Sequence, residues 1–283
     1  MIAISVVTPS FNQAAFLEDA IRSVLDQEYP ALEYVVADGG SDDGSVAIVQ
    51  RYAERLTSWW SEPDEGPADA VNRGFALTSG EVMAWLNSDD VLLPGALDVV
   101  CEIFEAFPHV EWLTAASHAW IDERGRIVAI GHSAGYHREP FRFGLHGIVQ
   151  TGRRFDFIQQ ESTFWRRRLW NAVGGALDVS AEPAADFELW RRFFDRADLY
   201  TVETAIGAFR VHSGQRTATA LEAYYERARA LSRPPGRVPA LVHRARGAAP
   251  AAIAERLRLG WEVPVIRWDR ANGAWREGRR RLR

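Results

Sequence analysis

Acidic and turn-forming residues recur at four places in the first 90 residues of the chain. They are residues 8–12 (TPSFN), Asp38, residues 64–69 (DEGPAD) and the pair Asp89 and Asp90. Carboxylates repel phosphate, and the sequence has no G-x-G-x-x-G fingerprint and no P-loop to offset that repulsion. A divalent cation would remove the conflict, because Mg²⁺ and Mn²⁺ bind one or two carboxylates together with substrate phosphates. The clusters therefore indicate metal-assisted chemistry on a phosphate-containing ligand, although helix capping and turn formation would explain any one of them alone.

Each cluster follows a run of residues that predicts a buried strand. Apolar runs alternate with helical patterns, which predicts a βαβαβαβ order. This order is typical of a doubly wound, mostly parallel α/β sheet flanked by helices, whose ligand lies outside the carboxyl ends of the strands. The predicted strands cover residues 2–8, 32–37, 56–61 and 81–86, and the predicted helices cover residues 14–26, from a cap at Ser41 or Asp42 to about Arg55, and residues 67–78.

The rest of the chain predicts a mixed second half followed by helices. Residues 111–119 and 126–130 predict strands joined by a hairpin turn at 122–125, and residues 132–160 have no period and predict a long loop of the kind used for lids or binding. Residues 162–169 predict a strand running into a helix, residues 186–196 a helix and residues 200–212 a strand. Beyond residue 216 the pattern predicts helices, broken at residues 234–236 and at Pro264.

The composition is that of an ordinary globular protein. The chain has 283 residues, of which 47% are hydrophobic and 25% charged, so we expect one large or two small domains with a sizeable core. These values exclude a disulfide-stapled scaffold, a collagen-like chain and wholesale disorder. The single cysteine, Cys101, cannot form an internal disulfide or a zinc-cysteine cluster and fits a reducing compartment. The sequence has no apolar run of about 18 residues and no signal-peptide pattern after Met1, so the cytoplasm is the expected location.

The net charge of −5 conceals an uneven distribution along the chain. Every basic residue other than histidine is arginine, and residues 227–283 hold 15 arginines against four acidic residues, which leaves a net charge of −16 on residues 1–226. An acidic body of this kind is expected to repel nucleic acid. The basic tail would either pack on the acidic body or contact an acidic partner or anionic lipid.

Five motifs in the first half resemble those of the family 2 glycosyltransferases, which use nucleotide-sugar donors. They are residues 6–12 (VVTPSFN), 36–45 (VADGGSDDGS), 61–66 (SEPDEG), 69–74 (DAVNRG) and 86–90 (LNSDD). The motifs occur in the order found in that family, and a weaker similarity extends from residue 160 to residue 212. The resemblance implies a GT-A type fold in residues 1–215, with a nucleotide-sugar-binding half at 1–110 and an acceptor half at 111–215. An Arg-rich helical extension at 216–283 would follow.

The same resemblance assigns residues to the donor. It implies that Pro9 and its neighbours line the nucleoside pocket, that Asp38 accepts a hydrogen bond from the base, and that Asp69 and Arg73 lie near the ribose and phosphates. An alternative for Asp69 and Arg73 is an ion pair four residues apart on a helix, worth about 0.3–0.5 kcal/mol. The implied donor-binding set is Thr8, Pro9, Ser10, Asn12, Asp38, Asp69, Arg73, Asn87 and Ser88.

The implied metal site departs from the acidic motif of the family, which is usually written D-x-D. Asn87 occupies the first position of that motif, so the resemblance places Mg²⁺ or Mn²⁺ on Asp89, with Asp90 adjacent. An asparagine carbonyl still coordinates or orients a water but supplies no charge. The segment from Phe209 to His212 resembles a late Arg-x-His segment of the family, which implies that His212 lies near the metal or the diphosphate.

The implied reaction is inverting transfer of the sugar to an acceptor hydroxyl, in the assembly of a cell-surface polysaccharide or glycolipid. Such a reaction needs a base, and Asp186 matches the catalytic aspartate of the family, although Ala185 replaces the usual acidic residue before it. Glu161 is the rival base on the acceptor side. Trp165 and Trp190 would stack on a sugar face, or would belong to the core. The acceptor would be a glycan or a lipid-linked glycan.

Other readings of the sequence stay open. A sugar nucleotidyltransferase would have a similar sheet and an acidic metal site, but residues 8–12 are neither glycine-rich nor basic, as a triphosphate loop would be. A non-catalytic module that binds nucleotide-sugar or glycan would tolerate Asn87 and Ala185. Arginines also alternate with leucine, valine and tryptophan over residues 255–283, a pattern that predicts peripheral contact with the inner face of a membrane.

Overall fold

The computed structural model of the protein describes residues 1–142, 157–232 and 261–282. Its first part alternates strands and helices, as the sequence predicts. The strands are β1 (Ile4–Ser10), β2 (Leu32–Asp38), β3 (Ser58–Ser61), β4 (Val82–Trp85), β5 (Val91–Leu92), β6 (Trp112–Ala115), β7 (Ser117–Ile121), β8 (Ile127–His132), β9 (Thr163–Arg166), β10 (Tyr200–Val202), β11 (Gly207–Arg210), β12 (Trp261–Asp269) and β13 (Ala274–Leu282). The helices are α1 (Leu17–Leu25), α2 (Ser45–Tyr52), α3 (Pro67–Ala76), α4 (Ala96–Ala106), α5 (Arg138–Arg142), α6 (Arg167–Ala172), α7 (Ala185–Phe194) and α8 (Arg216–Leu231).

The described strands form two sheets. The larger sheet has nine strands in the order β13-β12-β10-β6-β9-β4-β1-β2-β3, and the smaller one has four in the order β5-β11-β7-β8. Strands β4, β1, β2 and β3 are parallel, whereas β9 runs antiparallel to both β4 and β6. The prediction of a doubly wound, mostly parallel sheet flanked by helices is confirmed.

Local sequence explains why the first strands and helices pack as they do. All seven residues of β1 are buried, which is typical of a parallel strand covered on both faces. Helix α1 buries Leu17, Ile21 and Val24, whose spacing of four and then three residues forms one apolar stripe. Helix α3 packs closely on β1 because Gly74 has no side chain: a Cβ there would lie 2.5 Å from Cγ1 of Val7. The glycine therefore lets the second half of α3 lie directly against β1.

Several predicted boundaries in the first three quarters of the chain are shifted. The predicted cap at Ser41 or Asp42 is wrong, because α2 begins at Ser45, after Gly44 in a left-handed conformation. The predicted strand over residues 200–212 is two strands, β10 in the large sheet and β11 in the small one. The hairpin turn at 122–125 is confirmed, since β7 and β8 pair antiparallel around it. Part of the predicted long loop, residues 143–156, lies outside the described residues.

The prediction of a wholly helical C-terminal extension is wrong. Helix α8 forms as expected, but residues 261–282 form an antiparallel hairpin that extends the large sheet beside β10. Trp261, Val263 and Val265 are buried and recur at every second position, which is the period of a strand. Pro264 lies within β12 and does not break a helix. The predicted break at 234–236 and residues 255–260 of the predicted membrane segment lie outside the described residues.

The hairpin shows how part of the basic tail, residues 261–282, contacts the body of the protein. Trp261 bonds Glu139 at 2.9 Å and Trp275 bonds Glu102 at 2.8 Å through their indole nitrogens, so both tryptophans are tied to the body of the protein. Arg276 pairs with Asp269 at 2.5 Å. In the described ranges, no helix has the length and apolarity needed to cross a bilayer.

Candidate active site

A cavity of about 640 Å³ opens at the carboxyl ends of β1 and β4. The chain crosses from one side of β1 to the other between β3 and β4, so this is the topological switch point at which doubly wound sheets bind ligands. The cavity is lined by the end of β1, the segment from Asp64 into α3, the end of β4 with the loop after it, Trp120 in β7, and parts of the region from residue 157 to α8. Its polar lining includes Ser10, Asp64, Asn87, Ser88, Asp89, Asp90, Gln160, Glu161, Glu182, Asp186 and Tyr224.

The loop after β4 places two adjacent carboxylates in different surroundings. Asp90 is buried, and its carboxylate accepts hydrogen bonds from the backbone N–H of Arg210 at 2.9 Å and from the amide of Asn87 at 3.3 Å. Burial, with the nearby charges of Asp89 and Glu161, raises the pKa of Asp90 well above its usual value. The Asp89 carboxylate is more open, and one of its oxygens lies 3.2 Å from Nε2 of His212. Asp90 is therefore held inside the protein by its hydrogen bonds, whereas the carboxylate of Asp89 is more accessible from the cavity.

Arg210, a residue that sequence reasoning did not select for the site, holds this loop in place. Its side chain is completely buried, and its guanidinium donates to the backbone oxygen of Asp89 at 2.7 Å and to the carboxylate of Asp19 at 3.0 Å. It also lies over the ring of Phe16, 4.9 Å from the centroid. The sequence signal that could have identified it is an arginine inside the strand pattern predicted over residues 200–212.

Two residues at the acidic loop are available to a divalent cation, provided that other ligands complete its coordination. Asp89 and His212 are in contact and offer one oxygen and one nitrogen ligand, whereas both oxygens of Asp90 already accept hydrogen bonds. Among the described residues, no group of three or more His, Cys, Asp or Glu side chains is arranged to hold a metal ion. Phosphate oxygens and waters would complete the coordination, which is the usual way in which Mg²⁺ and Mn²⁺ bind at such sites. Of the three predicted metal ligands, Asp89 and His212 are the available pair.

Asp186 lies at the beginning of α7, where its carboxylate faces the cavity. One oxygen accepts a hydrogen bond from the backbone N–H of Phe187 at 2.7 Å, and the other accepts one from the hydroxyl of Tyr224 at 3.3 Å. Burial raises the pKa of Asp186 to about 6, with a smaller contribution from Glu182. A carboxyl group with this pKa is ionised at neutral pH and is basic enough to accept a proton.

Glu161 lies in the short turn before β9, in the wall of the same cavity. It is buried, and burial, with the charge of Asp89, raises its pKa to about 7. Its backbone approaches β11 closely: a Cβ on Gly207 would lie 2.5 Å from the carbonyl oxygen of Glu161. The structure thus brings together Asp89, Asp186 and Glu161, which the sequence selected from three distant segments.

The predicted donor-binding residues separate into two groups. Pro9, Ser10, Asn87 and Ser88 line the cavity. Thr8 is buried behind it and hydrogen-bonds the hydroxyl of Tyr34 at 2.9 Å. Asn12 is outside the lining, and its side-chain oxygen accepts from the backbone N–H of Asp42 at 3.0 Å, which ties the loops after β1 and β2 together.

Asp38 is completely buried and does not reach the cavity, contrary to the prediction that it contacts a base. Its carboxylate accepts hydrogen bonds from the backbone N–H groups of Gly40 and Ser41 and from the hydroxyls of Ser41 and Ser61. The physical reason is that the turn after β2 uses Asp38 to satisfy its own backbone donors. Asp38 therefore positions the turn.

Asp64, unlike Asp38, lines the cavity. It lies against the turn after β2, because a Cβ on Gly39 would come within 2.9 Å of its Oδ2. Its Oδ1 accepts a hydrogen bond from the backbone N–H of Gly66 at 2.8 Å. Burial and the charges of Asp69 and Asp38 raise the pKa of Asp64, whereas the Gly66 bond lowers it. Sequence reasoning noted the cluster at 64–69 but did not select Asp64 for the site.

Asp69 and Arg73 also lie outside the cavity lining. Asp69 accepts from the backbone N–H of Glu65 at 3.3 Å, and Arg73 pairs with Glu62 at 3.0 Å and lies over the ring of Trp60. Arg73 therefore forms its ion pair with Glu62 and not with Asp69, which the alternative prediction named as its partner. Both residues shape the segment that carries Asp64.

Trp165 and Trp190 are core residues, so the prediction that they stack on a sugar is wrong. Trp165 is 0% exposed and Trp190 is 1% exposed. Trp190 stacks on Trp85 with centroids 5.6 Å apart, and Trp85 lines the cavity. Trp165 and Trp190 thus both pack against Trp85, a residue of the cavity lining, from inside the core. Trp120, which the sequence analysis did not select, lines the cavity directly.

Comparison with known proteins identifies the first part of the chain. A family model described as Glycosyl transferase family 2 matches residues 5–118. An uncharacterised glycosyltransferase of Mycobacterium tuberculosis is 32% identical over 186 residues, which are 65% of this chain and 66% of that protein. A GalNAc(5)-diNAcBac-PP-undecaprenol β-1,3-glucosyltransferase of Campylobacter jejuni is 34% identical over 112 residues, 38% of this chain and 36% of that protein. The chain spans about two thirds of the length of the curated relatives that it matches most extensively.

Two solved structures share the fold. TarS of S. aureus, residues 1–349 in complex with UDP-GlcNAc, superimposes with a TM-score of 0.63 at 18% identity, covering 81% of this chain and 65% of that one. The mannosyltransferase PcManGT of Pyrobaculum calidifontis, in complex with GDP-Man and Mn²⁺, superimposes with a TM-score of 0.55 at 18% identity, covering 91% and 79%.

Proposed function

Because the chain belongs to glycosyltransferase family 2, we propose that it moves a sugar from a nucleotide diphosphate to an acceptor hydroxyl with inversion at the anomeric carbon. The observation that carries the proposal is one cavity, lined both by the acidic loop after β4 and by Asp186 at the start of α7. A donor seated at the switch point would place its reacting carbon between these two groups.

The donor would occupy the side of the cavity formed by β1, β3 and the loop after β4. Pro9, Ser10, Asp64, Asn87 and Ser88 supply its lining there. Thr8, Asn12 and Asp38 hold the surrounding turns, and Asp69 and Arg73 hold the segment that bears Asp64. Support for a nucleotide-sugar comes from TarS and PcManGT, which were solved with UDP-GlcNAc and GDP-Man.

Asp89 and His212 would hold Mg²⁺ or Mn²⁺ together with the diphosphate. When bound, the cation would compensate the charge that develops on the departing diphosphate. Arg210 keeps the loop of Asp89 fixed to β11, so the carboxylate does not have to reorganise when the nucleotide arrives. The presence of Mn²⁺ with PcManGT supports the assignment of the cation.

Asp186 is the proposed base. Its carboxylate accepts the proton of the acceptor hydroxyl while the oxygen of that hydroxyl forms a bond to the anomeric carbon. The bond from this carbon to the diphosphate breaks, and the electron pair leaves with the diphosphate. Tyr224 and the backbone N–H of Phe187 each hold one oxygen of Asp186, which fixes the direction of the carboxylate. Glu161, with a pKa of about 7, is about half protonated at pH 7, so a smaller fraction of it than of Asp186 is ionised and ready to accept a proton.

The proposed acceptor is a glycan, free or lipid-linked, in polysaccharide or glycolipid assembly. The printed name of the C. jejuni relative specifies an undecaprenol-linked oligosaccharide, which supports an acceptor of this class. The enzyme would then act in the cytoplasm, with its nucleotide-sugar donor, and would contact a lipid-linked acceptor at the inner face of the membrane.

A donor panel tests the proposed function. Purified protein is incubated with UDP- and GDP-sugars, Mn²⁺ and an acceptor mixture, and release of the nucleoside diphosphate is measured. We expect release with one donor and its loss in Asp186→Asn and Asp89→Ala, both still folded by circular dichroism. Retained turnover in both variants would overturn the mechanism, and pyrophosphate release from a nucleoside triphosphate and a sugar phosphate would indicate a nucleotidyltransferase. Donor binding without turnover across the whole panel would indicate a non-catalytic module.

A further inference from the structure

The second sheet forms one wall of the cavity, and the chemistry described above does not use that wall. Trp120 in β7 lies directly opposite Phe209 in β11 and Ala129 in β8. Residues directly opposite each other on neighbouring strands point to the same face of a sheet. Trp120 and Phe209 both line the cavity, so the face that they share is turned toward it.

The indole of Trp120 is seated on a glycine of the neighbouring strand. A Cβ on Gly131 would lie 2.6 Å from Cη2 and 2.7 Å from Cζ3 of Trp120, so the six-membered ring occupies the space that a side chain at 131 would need. Any residue larger than glycine would force the indole to move. Gly131 therefore fixes the indole against β8 at the wall of the cavity.

The aromatic wall adjoins the acidic centre. Phe209 is followed by Arg210, whose backbone N–H donates to the carboxylate of Asp90 at 2.9 Å. A flat apolar surface next to several carboxylates is suited to a sugar, since a pyranose ring has an apolar C–H face and hydroxyls at its rim. The C–H face would pack on the ring while the hydroxyls point toward hydrogen-bond acceptors.

We propose that Trp120, with Phe209 beside it, is the platform on which a pyranose ring of the acceptor stacks. This inference rests on the proposed function and assigns the acceptor side of the same cavity. Pro9, Ser10 and Asp64, at or just after the ends of β1 and β3, line the part of the cavity where the nucleotide is placed. Trp120 thus has the position at the cavity that the sequence had assigned to Trp165 and Trp190.

Saturation-transfer NMR tests the platform directly. The probes are methyl β-D-glucopyranoside and methyl N-acetyl-β-D-glucosaminide, each added to the full chain in the presence of UDP or GDP and Mn²⁺. In the unchanged protein, we expect saturation on the ring C–H protons. It should be lost in Trp120→Ala and largely kept in Trp120→Phe, which retains an aromatic ring. Trp268→Ala is the matched control, because Trp268 is an exposed tryptophan on β12 outside the cavity lining.

Gly131→Ala provides a second variant that leaves Trp120 in the chain. We expect it to weaken saturation transfer because the indole is displaced. If the glycine acts through the indole, the double variant Gly131→Ala/Trp120→Ala should have the same acceptor KM as Trp120→Ala alone. Additive increases of the acceptor KM in the double variant would overturn the role given to Gly131. Thermal unfolding of each variant shows whether the fold is kept, and Gly131→Ala keeps the test valid if Trp120→Ala fails to fold, because it displaces the indole without removing it.

Kinetics separate acceptor binding from donor binding. We expect Trp120→Ala to raise KM for the acceptor about tenfold or more, with the KM for donor hydrolysis and the affinity for UDP or GDP unchanged. Equal saturation transfer and equal acceptor KM in Trp120→Ala and the control would overturn the proposal, and so would a loss confined to nucleotide affinity. If the unchanged protein turned over no donor, the proposed function would fail, while the NMR comparison would still decide whether Trp120 binds a sugar.

Discussion

The hydroxyl of Tyr224 in α8 donates a hydrogen bond to the Asp186 carboxylate in α7, at 3.3 Å. Helix α8 lies in the Arg-rich segment that the sequence suggested was an extension of the glycosyltransferase domain. The contact shows that this segment helps to set the properties of the proposed base. Helix α8 also supplies Tyr224 to the lining of the cavity.

Replacing Tyr224 should shift the pH dependence of transfer. Asp186 must be ionised to accept a proton, so kcat should fall as the pH is lowered through about 6. The Tyr224 bond favours the ionised form, so Tyr224→Phe should raise the pKa of Asp186 and move this acidic limb to higher pH. A kcat profile between pH 5 and about 8.5 measures the shift. Tyr225→Phe, the adjacent tyrosine, is the control, and identical profiles for both variants would contradict the assignment.

Asp186→Asn should lose activity and gain stability. Loss of the base should lower kcat by about 10²-fold or more, whereas Glu161→Gln should cost less. The folded state raises the pKa of Asp186 from 3.8 to about 6, so it binds the proton more tightly than the unfolded chain does. Stability from this group is present below about pH 4 and is lost as the pH rises through about 6. At pH 7.5, Asp186→Asn should therefore raise the free energy of unfolding by on the order of 1 kcal/mol, measured by urea denaturation. A decrease would show that other contacts of the carboxylate dominate.

Asp64 should contribute to nucleotide affinity. We expect Asp64→Ala to weaken UDP or GDP binding about tenfold, because its carboxylate lies at the donor side of the cavity and can accept from an N–H of the base. Glu65→Ala removes the neighbouring acid, which is exposed and outside the lining, and should have no effect. Calorimetric titration of nucleotide into both variants makes the comparison. An equal affinity in Asp64→Ala and Glu65→Ala would remove Asp64 from the donor site.

The cation should bind in response to the nucleotide. Since Asp89 and His212 offer few ligands, Mn²⁺ alone should bind weakly, and UDP or GDP should tighten its binding about tenfold or more. Electron paramagnetic resonance of free Mn²⁺ measures this without any turnover. The nucleotide-dependent part should vanish in Asp89→Ala and weaken in His212→Ala. Unchanged Mn²⁺ binding in the double variant Asp89→Ala/His212→Ala would show that the cation does not bind at these two residues.

Arg210 should be far more important for stability than an exposed arginine. Arg210→Met leaves the backbone oxygen of Asp89 without its buried donor and breaks a pair in which the arginine is completely buried. We expect a loss of about 3 kcal/mol in the free energy of unfolding. The control Arg51→Met breaks the exposed pair with Glu18 and should cost less than about 1 kcal/mol. Similar urea midpoints for the two variants would show that Arg210 is not what holds the loop.

The sequence predicted those parts of the fold and site that depend on local pattern. Strands β1 and β4 are mostly apolar segments followed by turn residues, so the carboxyl ends that carry Ser10 and the loop of Asp89 could be located in advance. Asp186 was selected because it matches the catalytic aspartate of the family, at the start of a helix predicted over residues 186–196. Each of these features is local in the chain, and the parallel sheet then brings them to one cavity.

The parts that the sequence did not predict depend on packing between distant segments. Trp165, Trp190 and Trp120 are equally apolar, and only the layering of the two sheets decides that the first two are buried and the third lines the cavity. Asp38 has the residue type of a ligand contact, but four hydrogen bonds turn its carboxylate inward. The β12–β13 hairpin was hidden because Pro264 suggested a helix break, and a proline inside a strand with neighbours on both sides is unusual.

The placement of β13 has a consequence for contact between copies of the protein. β13 is the outermost strand on one side of the nine-stranded sheet in the described part of the chain, and it contains Arg276, Arg279, Arg280 and Arg281. An open strand edge is a template for pairing with another molecule, and charged side chains along the edge oppose such pairing. Three of these arginines, Arg276, Arg280 and Arg281, pair with acidic residues of the same chain. The arginines that suggested a binding tail thus also disfavour pairing of the open edge of β13 with a second copy of the protein.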